Sequence, residues 1–365
     1  MIWLLFACVH PHAPVSEAPA MVALRAESMA GLNPNLHPDA GLRAAAEELI
    51  AGATRVGARL TPGAMRVALG RSGYPRDARF LRAHSADDTI PQALLEAIPD
   101  QVGVDIGWAS RPDATGGATW IVGWAPRIGT IDPIPRDIVL DQGLPLRTDG
   151  LVDPRLFIGS PDGRAQELAM TDGTARWLDV FHVPGEYRVE VVEGDRVAYL
   201  FSLFVDAAPP AASPLPGPAD RQSANAVAAD LAARVNDLRV STGLAPLRPF
   251  ARLEPETIAQ AACLASTGEV AHSTPRCPGV PAMAERSYYP RARHHEDVVA
   301  ADTTEESWER LFDSPGHRLN LLCPSCTHLT VGAATEATDP ARVFTVIELM
   351  EFPEGEPVPI IRGRR

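Results

Sequence analysis

The chain has 365 residues, too many for one ordinary core, and its length alone predicts two or three folded units. A hydrophobic fraction of 45% with 22% charged residues argues against a disordered or fibrous protein. The 46 acidic against 33 basic side chains, formally −13, would repel polyphosphate, which argues against nucleic acid as a partner, and the absence of lysine excludes lysine-based catalysis.

In chain order, the first element is the apolar run Met1 to Ala7, which ends in a small residue just before Cys8. It is similar to a bacterial lipoprotein signal, with Leu5, Ala7 and Cys8 at the lipobox positions. Bulky Phe6, the lack of a preceding basic residue and the shortness of the run depart from that pattern. The alternative is a frayed apolar terminus with an incidental cysteine. On the first reading, residues 1–19 are an export signal and proline-rich tether, and Cys8 carries the lipid. The lipid is then the membrane anchor, since no later stretch reaches ~18 uninterrupted apolar residues. The expected location is the outer membrane or cell surface, or the medium if the chain is secreted.

Residues 20–130 predict a small α+β domain. Leu42, Ala45, Ala46, Leu49 and Ile50 recur at helical spacing, and Pro62 suits the first turn of a second helix. Val102, Val104 and Ile106 alternate, Asp113 to Gly117 supplies turn residues, and Trp120 to Trp124 is extended, which together predict a hairpin. Residues 131–206 keep a period of two and predict an all-β, immunoglobulin-like sandwich. There Tyr187, Val189 and Val191 are expected on the buried face, with Arg188 and Glu190 towards water. Residues 207–221 are rich in proline and predict a stiff linker.

Residues 222–353 predict an α+β domain, with 354–365 as a tail. Ser223 is a plausible cap for a helix carrying Val227, Leu231, Val235 and Leu238, with Gly243 as its stop. A second helix has Pro255 in its first turn and ends near Gly268. Thr303 and Glu306 form a capping box for a third, which is expected to end at Ser314-Pro315-Gly316. Strands follow around His328 to Ala334 and Val343 to Met350.

Four of the five cysteines, Cys263, Cys277, Cys323 and Cys326, lie in this last third, an even set that suggests disulfides in an oxidising compartment. Three pairings are open. Proximity in sequence favours Cys263 with Cys277 and Cys323 with Cys326, and a four-cysteine zinc site is the rival.

The densest group of chemistry-bearing side chains is His272, His294, His295, Glu296 and His317, suited to acid, base or ligand roles. Ser273 and Ser314 each lie near a histidine, but no Gly-x-Ser-x-Gly elbow or HExxH motif occurs, and Ser314 beside Pro315 and Gly316 reads as a backbone cap.

Val235-Asn-Asp-Leu-Arg239, Gly243 to Leu247, Ala271-His272-Ser273, His295-Glu296-Asp297, Ser314-Pro-Gly-His317-Arg-Leu-Asn320-Leu-Leu322 and Val331-Gly332 together resemble the bacterial branch of the CAP (SCP) superfamily. That superfamily includes cysteine-rich secretory, antigen-five and plant pathogenesis-related proteins. The resemblance implies an α-β-α sandwich with a cleft lined by two histidines and two acidic residues. His272, Glu296 and His317 fall on three of those positions, with His272 and His317 as candidate metal ligands for zinc or another divalent cation. Ser314 stands where the fourth member belongs, with Glu309 and Asp313 as possible substitutes. The implied function is a non-enzymatic binding or envelope-interaction module whose ligand is a lipid, a glycan or a wall component. A metal-assisted hydrolase with Glu296 as general base and a structural protein with a vestigial cleft are the alternatives. Residues 102–124 also parallel residues 331–350, so the first domain is readable as a degenerate CAP-like copy.

Overall fold

A computed structural model describes residues 35–352 apart from 56, 87–88, 100–102, 114–115, 136, 142, 178–179, 195 and 281–291. Cys8, the 1–19 tether, Val102, Tyr288, Tyr289 and the 354–365 tail lie outside the described residues. Among those described, no helix is long and apolar enough to cross a membrane.

Near the N-terminus the Asp39 carboxylate accepts a hydrogen bond from Leu42 N at 2.9 Å, capping α1 (Ala40–Gly52). The helically spaced Leu42, Ala45, Ala46, Leu49 and Ile50 are all buried. Thr61 caps α2 (Pro62–Ser72), whose proline sits in the first turn, and Gly73 at φ 79° ends it. Both helices cover a four-stranded sheet of β1 (Leu36–Pro38), β2 (Arg79–Ser85), β3 (Val104–Pro112) and β4 (Ala118–Pro126), ordered β1-β3-β4-β2. The first pair is parallel and the others antiparallel. A short α3 (Gln92–Glu96) precedes β3.

Residues 130–205 form two sheets. β5 (Thr130–Ile131), β7 (Leu144–Asp149) and β10 (Thr174–Trp177) make one; β6 (Asp137–Ile138), β8 (Arg155–Gly159), β9 (Ala165–Leu168), β11 (Gly185–Glu193) and β12 (Arg196–Val205) make the other. Tyr187, Val189 and Val191 enter the shared core with Phe201 and Leu203, as alternation requires. Arg188 and Glu190, expected to face water, are instead 6% and 3% exposed. Period-two patterning locates the apolar face correctly; the opposite face is covered by the C-terminal unit.

The segment after β12 is irregular, as its prolines dictate, but it is no free spacer. Leu215 is buried in the N-terminal core, Leu215 N donates to Gly52 O at 2.9 Å, and Arg59 N donates to Pro216 O at 2.9 Å.

In the C-terminal third, Ser223 caps α4 (Ala224–Ser241), and Gly268 at φ 70° ends α5 (Glu254–Thr267). The sheet runs β13-β15-β16-β14, from β13 (Arg248–Pro249), β14 (Arg293–Ala301), β15 (His328–Thr335) and β16 (Val343–Glu351). Again the first pair is parallel and the rest antiparallel, repeating the N-terminal pattern. Helix α5 packs on one face with Val298, Ala300, Phe344 and Val346. Helices α4, α6 (Thr304–Asp313) and α7 (Pro315–Leu321) pack on the other with Val299, Ile347 and Leu349. The result is three layers, helix on sheet on helix, with β14 at an edge. Ser314 ends α6 and at once caps α7, its hydroxyl accepting from His317 N, so the Ser-Pro-Gly segment is a start as well as a stop.

Candidate functional site

The site forms where edge strand β14 meets the loop after α5 and the start of α7. Alternation along β14 sends His294 and Glu296 to the α5 face, and His295 and Asp297 to the α7 face. The loop carrying His272 is pinned twice. Cys263 and Cys277 are joined across it, and Gln260, buried in α5, donates to His272 O at 3.1 Å while accepting from Gly279 N at 3.3 Å. The His272 side chain remains 48% exposed, with its Nδ1 2.9 Å from Glu296 Oε1.

His317 arrives from the other layer on α7. Its Nδ1 is buried with no hydrogen-bond partner. Burial, then the charge of nearby His272, push its pKa down to about 4 against the pull of the Arg310 carbonyl, so its imidazole is neutral at physiological pH. Asn320, one turn on, donates to Asp297 Oδ1 at 2.8 Å and to Glu296 O at 3.3 Å, which ties α7 to β14. Asp297 is fully buried, and desolvation raises its carboxyl to about 8.

Sequence reasoning missed Glu348. It lies directly across from Glu296 on β16, is 0% exposed and has His294 Nδ1 3.1 Å from its Oε2. Burial, then the facing Glu296, push the Glu348 carboxyl well above the usual carboxylate range, and its Oε1 is buried with no hydrogen-bond partner. A carboxylate inside the run Val343 to Met350, in which Thr345 is the one other polar side chain, was the available signal.

Glu309 and Asp313 are not brought to this group. Glu309 accepts from Gly63 N at 2.9 Å and Asp313 pairs with Arg66 at 3.3 Å, both facing α2. At the position of the missing acidic member, the Ser314 hydroxyl instead donates to Glu190 of the β module, 3.0 and 2.9 Å from its two oxygens. Arg318, buried, stacks 4.0 Å from the Phe312 ring and donates to Ser160 O at 3.0 Å, so it too serves contacts between units.

The donors do not fit a ready-made metal centre. Among the described residues, the only group of three or more potential ligand atoms mutually within 4.8 Å is His295, Cys323 and Cys326; His272, Glu296 and His317 do not form one. What the arrangement does chemically is present one half-exposed imidazole backed by a carboxylate, beside one neutral imidazole.

Residues 232–348 match the family model of the cysteine-rich secretory protein family, CAP, so the C-terminal third of the chain is a CAP domain. The chain is also similar to an outer surface protein of Borrelia burgdorferi, with 15% identity, TM-score 0.31, and coverage of 36% of this chain and 97% of that one. An extracellular protein containing an SCP domain from Bacillus anthracis is 13% identical, TM-score 0.32, over 62% and 67% of the two chains. A cysteine-rich secretory protein of Staphylococcus aureus is 14% identical, TM-score 0.28, over 55% of this chain and 66% of that one. No curated protein matches the chain.

Proposed function

We propose that this is an exported protein whose CAP domain binds a ligand in the recess between His272 and His317 without turning it over. The observation that carries this reading is the engagement of Glu296. One oxygen accepts from His272 at 2.9 Å and the other from Val280 N at 3.5 Å. Both Glu296 oxygens are thereby engaged in positioning the His272 imidazole and the Val280 backbone, which favours a binding role over that of a general base. Two disulfides, Cys263 with Cys277 and Cys323 with Cys326, support an oxidising compartment. Lipidation at Cys8 would tether the chain to a membrane, and a lipid, a glycan or a wall component is the ligand class.

Residues 131–206 are read as an immunoglobulin-like spacer and residues 20–130 as a degenerate CAP-like copy. Support for the second comes from the shared strand order, and from Gly107 and Gly332, each on the third strand of its sheet. A Cβ at either would lie 2.3 Å from backbone of the covering helix.

The test pairs turnover with binding. Against panels of peptides and esters, wild-type and His317→Ala proteins are expected to be equally inactive. Titration with lipid vesicles or wall glycan fragments is expected to shift the His272 and His317 ring resonances saturably. Turnover that disappears in His317→Ala would overturn the binding reading.

A further inference from the structure

We propose that His295, Cys323 and Cys326 form a redox-gated site for a thiophilic d10 cation, zinc(II) or copper(I), separate from the His272–His317 recess. A ring nitrogen of His295 and the two Sγ atoms lie mutually within 4.8 Å, inside the reach of one ion with ligand bonds of roughly 2.0 to 2.3 Å. His295 Nε2 is buried and has no hydrogen-bond partner, an unusual position for an imidazole nitrogen. Both cysteines are buried, at 4% and 5% exposure, in the turn between α7 and β15. Arg239, itself 1% exposed, donates to Leu321 O and Cys323 O at 2.9 Å each, which fixes the backbone at the start of the Cys-x-x-Cys turn. Two sulfurs spaced as Cys-x-x-Cys with one imidazole are soft donors that select these ions over calcium or magnesium.

In the structure the sulfurs are joined to each other, so the ion and the disulfide are alternative states of one site. A small dithiol gives two electrons and two protons to the Cys323–Cys326 bond, which breaks to two thiols as the reductant closes to its own disulfide. The ion then displaces both thiol protons to solvent, forming two metal–sulfur bonds and one bond to His295. Oxidation by a disulfide of higher potential reverses both steps and releases the ion. Because His295 is on β14 and the cysteines follow α7, the ion would fasten the helix carrying His317 to the strand carrying Glu296 from behind.

The experiment uses the full chain, reduced with a dithiol under anoxic conditions, freed of reductant and titrated with zinc(II), copper(I) and cobalt(II). The expected result is uptake of one ion per reduced chain, none per oxidised chain, and a thiolate-to-cobalt charge-transfer band. His295→Ala is expected to weaken binding about tenfold or more, and C323S/C326S to abolish it. Reduction also opens Cys263–Cys277, so a C263A/C277A chain must still take up the ion. The double variant H272A/H317A must bind undiminished, which separates this site from the recess. Absence of uptake, a cobalt spectrum without a thiolate band, or binding lost in H272A/H317A but kept in His295→Ala would overturn the proposal. Should C323S/C326S fail to fold by circular dichroism, the His295→Ala titration decides alone.

Discussion

His317 and Asp297 load the stability of the domain in opposite directions with pH. The His317 ring holds a folded pKa near about 4 against an ordinary 6.5. Between those values the unfolded chain takes up a proton that the folded chain refuses, so stability falls as pH drops from about 6.5 towards about 4. Asp297 does the reverse. Its folded value of about 8 against an ordinary 3.8 means the folded chain keeps a proton the unfolded one has lost, and stability declines as pH rises through that range. Urea midpoints measured across pH are expected to lose part of their acid slope in His317→Asn. In Asp297→Asn the gain relative to wild type should be larger at about pH 9 than at about pH 5. At this scale the grouping of His272, Glu296 and His317 was read from the density of histidines in the last third and from the motifs that resemble the CAP superfamily. Glu348 was not, because its strand reads as core and only the cross-strand register puts it opposite Glu296.

Helix boundaries were legible wherever a cap residue carries the physics: Ser223, Thr303 and Gly268 act as their chemistry requires. The capping box differs in one detail, since the Glu306 carboxylate accepts from Asp302 N rather than from the Thr303 amide. Strand β14 was not legible, because Arg293 to Asp297 is polar throughout and alternation gives no signal there. It becomes a strand through pairing with β16 along its whole length, a tertiary effect that overrides local pattern. Gly332 is the element on which α5 rests. A methyl there would lie 2.3 Å from the Thr257 carbonyl carbon, and Gly332→Ala is expected to cost about 1–3 kcal/mol, or more if α5 cannot shift, measured by denaturant unfolding. The loop holding His272 is closed by a bridge of sequence separation 14. Replacing Cys263 and Cys277 by serine is expected to lower stability by about 3 kcal/mol, read from the same unfolding curves.

Across the whole molecule, charged contacts that sequence assigns to water turn out to join units. Glu190 accepts from Ser314 Oγ and, at 2.7 Å, from Gly316 N, while Arg66 spans Glu186 and Asp313 at 3.0 and 3.3 Å. Arg76 ties the N-terminal unit to the β module, donating to Ile128 O at 3.0 Å and lying 4.8 Å from the Tyr199 ring centre. Nothing in a linear pattern distinguishes such residues from solvated ones, since their partners are far away in sequence, 52 positions for Arg76 and Ile128 and 120 for Arg66 and Glu186. Removing Glu190 leaves a hydroxyl and an amide buried without an acceptor. Glu190→Ala is therefore expected to cost about 1–3 kcal/mol, and calorimetry should show the single wild-type transition broadening or splitting.

The strap at Leu215 has a further consequence for these contacts. With Leu215 seated among α1 side chains and Arg59 bonded to Pro216 and Gly217, the chain leading into the CAP domain is fastened to the N-terminal unit close to the start of that domain. Partners so confined meet at an effective concentration in the millimolar range, so the Arg59–Glu306 and Arg66–Asp313 pairs need not meet the entropic cost that two free proteins would face on association.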